Sequence, residues 1–444
     1  MNHGIPEGSL RFADPLPEAA DLAVIGGGVI GVCTALHAAR AGLRVVLCEK
    51  GRVAGEQSGR NWGWIRQQGR DDAELPLVVE ALRLWEGHAQ SCGAAALGFR
   101  RTGVAYAART PADMERFARW LPIAAASGVD SRLLSRAELA AMLPAPAQWQ
   151  GALWTASDAR AEPFLAVPEL ARLAQAEGAT IREGCAVRGL DLSAGQVAGV
   201  ETEAGKVRAA RVVLAGGAWS RLFLARHRVD LPQLSVLASV AATGPLPAVF
   251  DGALSAGAYA FRRRDDGGYT LAPNDTHDFF IGRDAFASLR PFLKILRRDW
   301  RSTRLRPAAP SGYPDAWTTP RRWLGESPFE RLRVLDPAAD RSAIEAARAG
   351  FRRDFPQLGE IPIARVWAGM IDTMPDVVPV IDAVPDLPGL WVATGMSGHG
   401  FGIGPAVGRV VADLVQGRPA GHDLTRFRLS RFSDGTPIDL GTAL

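Results

Sequence analysis

Residues 21–50 read DLAVIGGGVIGVCTALHAARAGLRVVLCEK, and the fold turns on this stretch. Leu22 to Ile25 is a short apolar run with branched residues, the pattern of a strand buried on both faces. Gly26, Gly28 and Gly31 follow in the spacing G-x-G-x-x-G. Val32 to Ala41 is Ala-rich and predicts a helix, with Gly42 as its stop. Arg44 to Cys48 predicts a second strand, closed by Glu49. Gly26 permits the tight turn, Gly28 lets backbone approach a pyrophosphate, and Gly31 lets helix and strand close on each other. The helix start presents free N–H groups to the anion, with Val29 and Ile30 just before it as expected cofactor contacts. Glu49 stands 18 residues past Gly31, where an acid accepts hydrogen bonds from a ribose. Strand, glycines, helix, strand and acid in this order predict a dinucleotide site. Glu49 also repels a 2′-phosphate, although Lys50 and Arg52 lie close by.

At 444 residues the chain buries a large core and divides into two or more domains. Its 51 basic and 47 acidic residues leave a net charge of +4, and the arginines are scattered rather than striped between aromatics. That pattern argues against a nucleic-acid partner. Cys33, Cys48, Cys92 and Cys185 show no metal or disulfide spacing, which predicts reduced thiols, no metal site and a cytoplasmic protein. No run reaches the roughly 18 apolar residues that a membrane span requires. Residues 1–20, with Pro6, Pro15 and Pro17, read as a loose leader.

Downstream, residues 55–71 (GEQSGRNWGWIRQQGRD) read as a structured loop. Helices are expected over 74–92, 111–127, 136–143, 164–178 and 340–354. Leu75, Val78, Val79, Leu82 and Trp85 share one apolar face of the first. Thr180–Arg188 reads as one strand and Leu190–Glu203 as a hairpin. Arg211–Ser220 (RVVLAGGAWS) is a strand ending in Gly216 and Gly217, where backbone can pack close to a bound group. Residues 235–282 carry strand-length pieces with turn chemistry and predict an antiparallel meander. The arginine-rich stretch 283–310 reads as a solvated, partly helical face. Parallel α/β pieces at 21–50, 164–220 and 388–416 are interrupted by antiparallel material, so two domains are woven through one chain.

Residues 388–408 read PGLWVATGMSGHGFGIGPAVG: a strand, a loop crowded with glycines, then a helix. A helix start there stabilises the negative charge of a reduced flavin, with His399 as its neighbour. Here the sequence resembles the FAD-dependent D-amino acid oxidase superfamily, and within it the branch of sarcosine oxidase, glycine oxidase and related amine dehydrogenases. The resemblance rests on VIGGGVIG with Glu49, SGRNWGWIR, VVLAGGAWS, and the closing WAGMIDTMPDVVPVI and GLWVATGMSGHGFGIGPAVG. It implies an α/β fold, with a Rossmann-type FAD-binding domain (18–97, 151–234, 366–432) interwoven with an antiparallel-sheet substrate domain (98–150, 235–365).

The resemblance also implies where noncovalent FAD would sit. Glu49 would hold the adenosine ribose. Lys50 and the loop Ser58, Gly59, Arg60, Asn61, Trp62, Gly63 and Trp64 would border ribose, pyrophosphate and ring. Val187 would flank the adenine. Gly216, Gly217, Trp219 and Gly369 would pack against the nucleotide, and Gly398, His399, Gly400, Phe401, Gly402 and Ile403 would cover the flavin. The reaction implied is oxidation of a C–N bond to an imine that water hydrolyses. The substrate would be a small amine or amino acid, either a D-amino acid or an N-substituted one. Oxidation of a 2-hydroxy acid, or service as a flavin-binding subunit of a heteromeric dehydrogenase, are the alternatives.

Departures from the family pattern narrow the substrate contacts. The arginine that holds the substrate carboxylate in D-amino acid and glycine oxidases matches Ile371, and one lysine of sarcosine oxidase matches Gly402. The arginine that shares this work in sarcosine oxidase lies in the loop matching SGRNWGWIR and falls on Arg66, so the resemblance implies Arg66 as the carboxylate ligand. Asp372 would attract a cationic amine, Trp62 and Trp64 would wall the pocket, and Tyr259 joins them as a substrate contact. Thr270 stands where sarcosine oxidase has its oxygen-activating lysine, which favours a dehydrogenase with another acceptor. No cysteine lies in WAGMIDTMPD to hold FAD covalently.

Overall fold

A computed structural model describes residues 10–144 and 146–444. A six-stranded sheet carries the opening motif, in the order Val380–Ala383, Leu390–Thr394, Val212–Leu214, Leu22–Ile25, Val45–Cys48, Thr180–Arg182. Neighbours pair in parallel except for the Val380–Ala383 edge. The chain reverses direction of travel across the sheet at Leu22–Ile25, flanked by Val45–Cys48 and Val212–Leu214. A cleft is expected there, at the carboxyl ends of those strands.

Among the described residues the helices Val29–Arg40, Leu75–Cys92, Pro163–Ala176 and Gly400–Leu414 share the core on one face. The opening and closing helices approach so closely that a Cβ on Gly408 would collide with Cys33. Both helix starts are thereby held at one edge of the sheet. Trp85, expected in the core, is fully buried; its Nε1–H donates to the Gly402 carbonyl at 3.1 Å, fastening its helix to the first turn of the closing one.

The second body is a ten-stranded, mostly antiparallel sheet. Its longest pairing joins Leu234–Thr243 to Ile363–Thr373, from Leu234↔Thr373 to Thr243↔Ile363. That ladder brings Gly369, Ile371 and Asp372 over the edge of the first sheet. Strand Gly151–Thr155 belongs here too, between Val104–Ala108 and Ser131–Ser135. The expected boundaries at 150 and 365 therefore need moving: one detaches a strand paired on both sides, and the other cuts through Ile363–Thr373.

Two further readings need correction. Residues 10–20 are docked rather than loose: Phe12 is buried, and Glu183 accepts from the Arg11 N–H at 2.7 Å. The part of that leader covering 1–9 lies outside the described residues. Thr180–Arg188 is two strands, Thr180–Arg182 and Val187–Ser193, because the chain turns at Gly184 (φ +62°). The arginine-rich segment forms a largely exposed helix, Leu289–Asp299. Among the described residues no helix is long and apolar enough to cross a membrane.

Candidate functional site

One cavity reaches from Glu49 and Val187 along Gly26, Gly28, Val29, Ile30, Gly216 and Gly217 to Trp62, Trp64 and Arg66. Its floor is the strand-to-helix turn. A Cβ on Gly31 would collide with the Gly26 carbonyl, so helix and strand meet with no side chain between them. No side chain of the helix caps its start, and among the described residues the first helical N–H, of Val29, donates to Ser58 Oγ at 2.9 Å. The first turn is left open to an anion.

Glu49 ends its strand with Oε2 accepting from Gly27 N–H at 2.6 Å and Oε1 from Gly51 N–H at 2.7 Å. Burial in the cleft pushes its pKa up to about 7, against the nearby Lys50 charge and these N–H donors. Lys50 borders the cleft beside Glu49, and its ammonium is held by protein groups. Its Nζ reaches Glu56 at 2.6 Å and the carbonyls of Leu332 and Arg333 at 3.0 Å, and lies 4.3 Å from the Trp219 ring centroid. Trp219 donates to the same Glu56 carboxylate.

The loop after the motif is ordered by its own polar groups. Asn61 Oδ1 accepts from Gly63 N–H at 2.8 Å, and its amide donates to Ser58 O at 2.9 Å. Buried Arg60 meets Asp336 and the Ala368 carbonyl. The Trp62 carbonyl accepts from Arg262 Nε at 2.7 Å, and Arg262 is clamped by both oxygens of Glu162. Trp62 and Trp64 meet edge to face, 5.4 Å between centroids. Trp64 Nε1 is buried with no hydrogen-bond partner among the described residues, an unspent donor on a residue that lines the cleft. Arg66 bonds the Gln68 carbonyl and sits over Tyr106, with no carboxylate partner among the described residues.

At the far wall, Gly398, His399, Gly400, Phe401 and Gly402 line the cavity together with Gly369. His399 Nδ1 is 3.4 Å from Glu74 Oε2. Burial, then the Arg70 charge, lowers the His399 pKa to about 4, so the ring is neutral at pH 7. Gly59, Gly63 and Ile403 stand behind the surface. Gly59 lies against the Ala54 carbonyl, Gly63 against Ala161 and Arg262, and Ile403 in the helical core.

Two expected substrate contacts are corrected by their surroundings. Tyr259 is fully buried among Phe261 and Phe351, with its hydroxyl donating to Asp354 at 3.0 Å, away from the cleft. Asp372 borders the cleft, but its carboxyl is spent inward: Oδ2 accepts from Gly395 N–H at 2.8 Å and from Gln233 at 3.2 Å. It ties the long strand to the closing glycine loop. Residues missed at the sequence level include Arg70, Glu74, Gln57 and Asn274. Arg70 and Glu74 sit four apart in RDDAE, a spacing that puts both on one side of a turn beginning a helix.

The open helix start, the acid at the next strand end, the unspent indole N–H and the glycines of the opening turn and closing loop that line the cleft fit FAD, whose pyrophosphate, ribose and ring need close backbone, donors and acceptors. The family described as FAD dependent oxidoreductase (DAO) matches residues 21–414. The chain belongs to this family. Sarcosine oxidase subunit beta of Rhizobium meliloti is 26% identical over 97% of this chain and 92% of that protein. Human mitochondrial sarcosine dehydrogenase is 26% identical over 94% of this chain, which spans 42% of that longer protein. The structure of L-amino acid deaminase from Proteus myxofaciens superposes with a TM-score of 0.90 at 30% identity, over 96% of this chain and 97% of that one.

Proposed function

We propose that this DAO-family chain oxidises the C–N bond of an amine or amino acid, either a D-amino acid or an N-substituted one, using noncovalently bound FAD. The observation that carries the reading is Arg66, a guanidinium without a carboxylate partner among the described residues, at the tryptophan end of the cleft. A fork of that kind matches a substrate carboxylate. The chemistry that FAD supplies when bound is acceptance of two electrons from the carbon beside nitrogen, leaving an imine that water hydrolyses. Arg66 orients that carbon by its carboxylate. Trp62 and Trp64 exclude water from the reacting face. His399, neutral at pH 7, adds no charge against a cationic amine. No protein base is required if the amine arrives uncharged.

Several features favour the finer points. Among the cysteines only Cys48 borders the cleft, at the Glu49 end, which supports noncovalent FAD. Thr270 is buried and accepts from Arg262 at 3.4 Å, and Lys50 is the one lysine along the cleft, already bonded to Glu56. Lacking a free lysine to activate oxygen, the site favours a dehydrogenase. Four free thiols favour a reducing, cytoplasmic setting. The near full-length match to an oxidase beta subunit supports a second reading, a flavin subunit within a larger assembly. The experiment is an anaerobic screen of amines, amino acids and 2-hydroxy acids for bleaching of the bound flavin, repeated with oxygen and with a dye acceptor. Bleaching by an amino acid with turnover only when dye is present is expected. Bleaching by hydroxy acids alone would overturn the reading.

A further inference from the structure

Among the described residues five arginines are at least nine-tenths buried: Arg60, Arg70, Arg160, Arg262 and Arg431. Four are neutralised in place. Arg60 meets Asp336, Arg160 meets Asp265 at 2.8 Å, Arg262 meets Glu162 at 2.7 and 2.9 Å, and Arg431 meets Asp376 at 2.8 and 3.1 Å. Arg70, 5% exposed, stands apart: no hydrogen bond or ion pair to a described residue holds its guanidinium. It lines the cleft beside Arg66 and His399. Its backbone is pinned, with the carbonyl accepting Trp120 Nε1–H at 3.0 Å and the N–H bonding the Gln67 carbonyl at 3.2 Å. Burial, then the Arg66 charge, lowers its pKa to about 9, which leaves it protonated at pH 7.

Two acids are near, and neither reaches it. Glu74 is itself 1% exposed and faces His399 Nδ1 at 3.4 Å rather than the Arg70 guanidinium, and among the described residues neither of its oxygens makes a well-directed hydrogen bond. Asp158 is occupied by the N–H groups of Gln67 and Gln68. A buried cation with unspent donors is expensive unless an anion arrives to meet it. A single carboxylate, taken by Arg66, leaves Arg70 as it was.

We propose that the substrate carries two acidic groups and that Arg70 receives the second. This rests on the reading above, in which Arg66 holds the carboxylate of an amino acid whose C–N bond is oxidised. The second group comes either from an acidic side chain or from an acidic substituent on nitrogen. Arg70 is thus a residue of substrate selection.

The test titrates the FAD-loaded protein, without oxygen, with butyrate and with glutarate, neither of which has a C–N bond. Binding is read from the visible spectrum of the flavin. Hydrogen bonds to a charged group predict glutarate binding at least tenfold tighter than butyrate. In Arg70→Met the preference disappears while butyrate binds as before. Equal affinities in the unaltered protein, or a glutarate preference that survives Arg70→Met, overturn the proposal. If Arg70→Met does not fold, the glutarate-to-butyrate ratio of the unaltered protein decides alone. Bleaching by iminodiacetate or by D-glutamate then separates the two sources of the second acid. Sarcosine and D-alanine, each with one acid, keep the two readings apart. If they bleach the flavin as fast as the diacids, only the Arg70 proposal fails. If no amino acid of either kind bleaches it, the C–N reading fails as well.

Discussion

At the scale of single residues, the two polar groups flanking the cleft behave oppositely, and substitution separates them. Arg66 has unspent donors, so Arg66→Ala is expected to weaken apparent substrate affinity by about tenfold to a hundredfold, from the loss of a charged hydrogen-bonding pair. Flavin content and melting temperature should stay normal. Steady-state KM with the bleaching substrate checks this, and unchanged kinetics would remove Arg66 from the substrate. Asp372 has spent its acceptors on Gly395 and Gln233. Asp372→Ala is therefore expected to cost about 1–3 kcal/mol of stability by orphaning a buried N–H, read as a lower urea midpoint. Asp372→Asn, which keeps an acceptor, should recover most of it. Had Asp372 recruited the amine, Asn would raise KM and leave the midpoint alone. The sequence showed both residues as polar side chains near a glycine loop. Which of them is free depends on the pairing of Ser235 with Asp372 across the long ladder, a contact no local pattern reveals. Tyr259 fails as a substrate contact for the same reason: which side of its strand meets the Phe351 helix is a tertiary fact.

At the scale of elements, the opening strand, turn and helix were the most legible part, because each glycine answers a steric demand set within a few residues of it. Gly31→Ala drives a methyl into the Gly26 carbonyl, so the helix must slide off the strand. The expected outcome is about 1–3 kcal/mol of destabilisation from overpacking, with FAD content falling further than stability does. The adjoining strand end gives a pH dependence. Burial raises the Glu49 pKa to about 7 in the apoprotein, above its value in the unfolded chain. Between about pH 4.5 and 7 the folded apoprotein then binds more protons than the unfolded chain, and this contribution to stability is lost as pH rises through that window. FAD runs the other way, since ribose hydroxyls donate best to the ionised carboxylate. FAD affinity should rise with pH up to about 7 and level off. Glu49→Gln should bind FAD weakly and without that slope, as measured by titrating apoprotein at several pH values; an identical slope in the variant would assign the titration to another group. The Thr180–Arg188 stretch was illegible as two strands because its alternation continues through the turn that Gly184 makes.

At the scale of the whole molecule, interleaving was readable from the alternation of parallel and antiparallel pieces, but the exact seams were not. A strand such as Gly151–Thr155 looks alike in either sheet, and its assignment depends on Val104–Ala108 and Ser131–Ser135 lying ready on both sides. This interleaving has a thermodynamic consequence. The cleft draws on the first strand–helix unit, on the loop bearing Trp62 and Trp64, on Gly369 of the long antiparallel strand and on the closing helix, so on the proposed placement of FAD no single segment holds it. FAD that binds only the assembled arrangement must stabilise both sheets together. At a free concentration a hundred times its dissociation constant, that linkage is worth about 2.7 kcal/mol. Apoprotein is thus expected to melt a few degrees lower than the FAD-loaded form, and both should unfold in one calorimetric transition whose midpoint climbs with added FAD. Acid precipitation should release the yellow cofactor into the supernatant, since Cys48 is the one thiol at the cleft and lies at the Glu49 end. Two transitions, only one of them moved by FAD, would show that the sheets melt separately and that one carries the dinucleotide alone. Colour retained by the precipitate would show a covalent bond in place of the polar cradle built from Glu49, the open helix start and the closing loop.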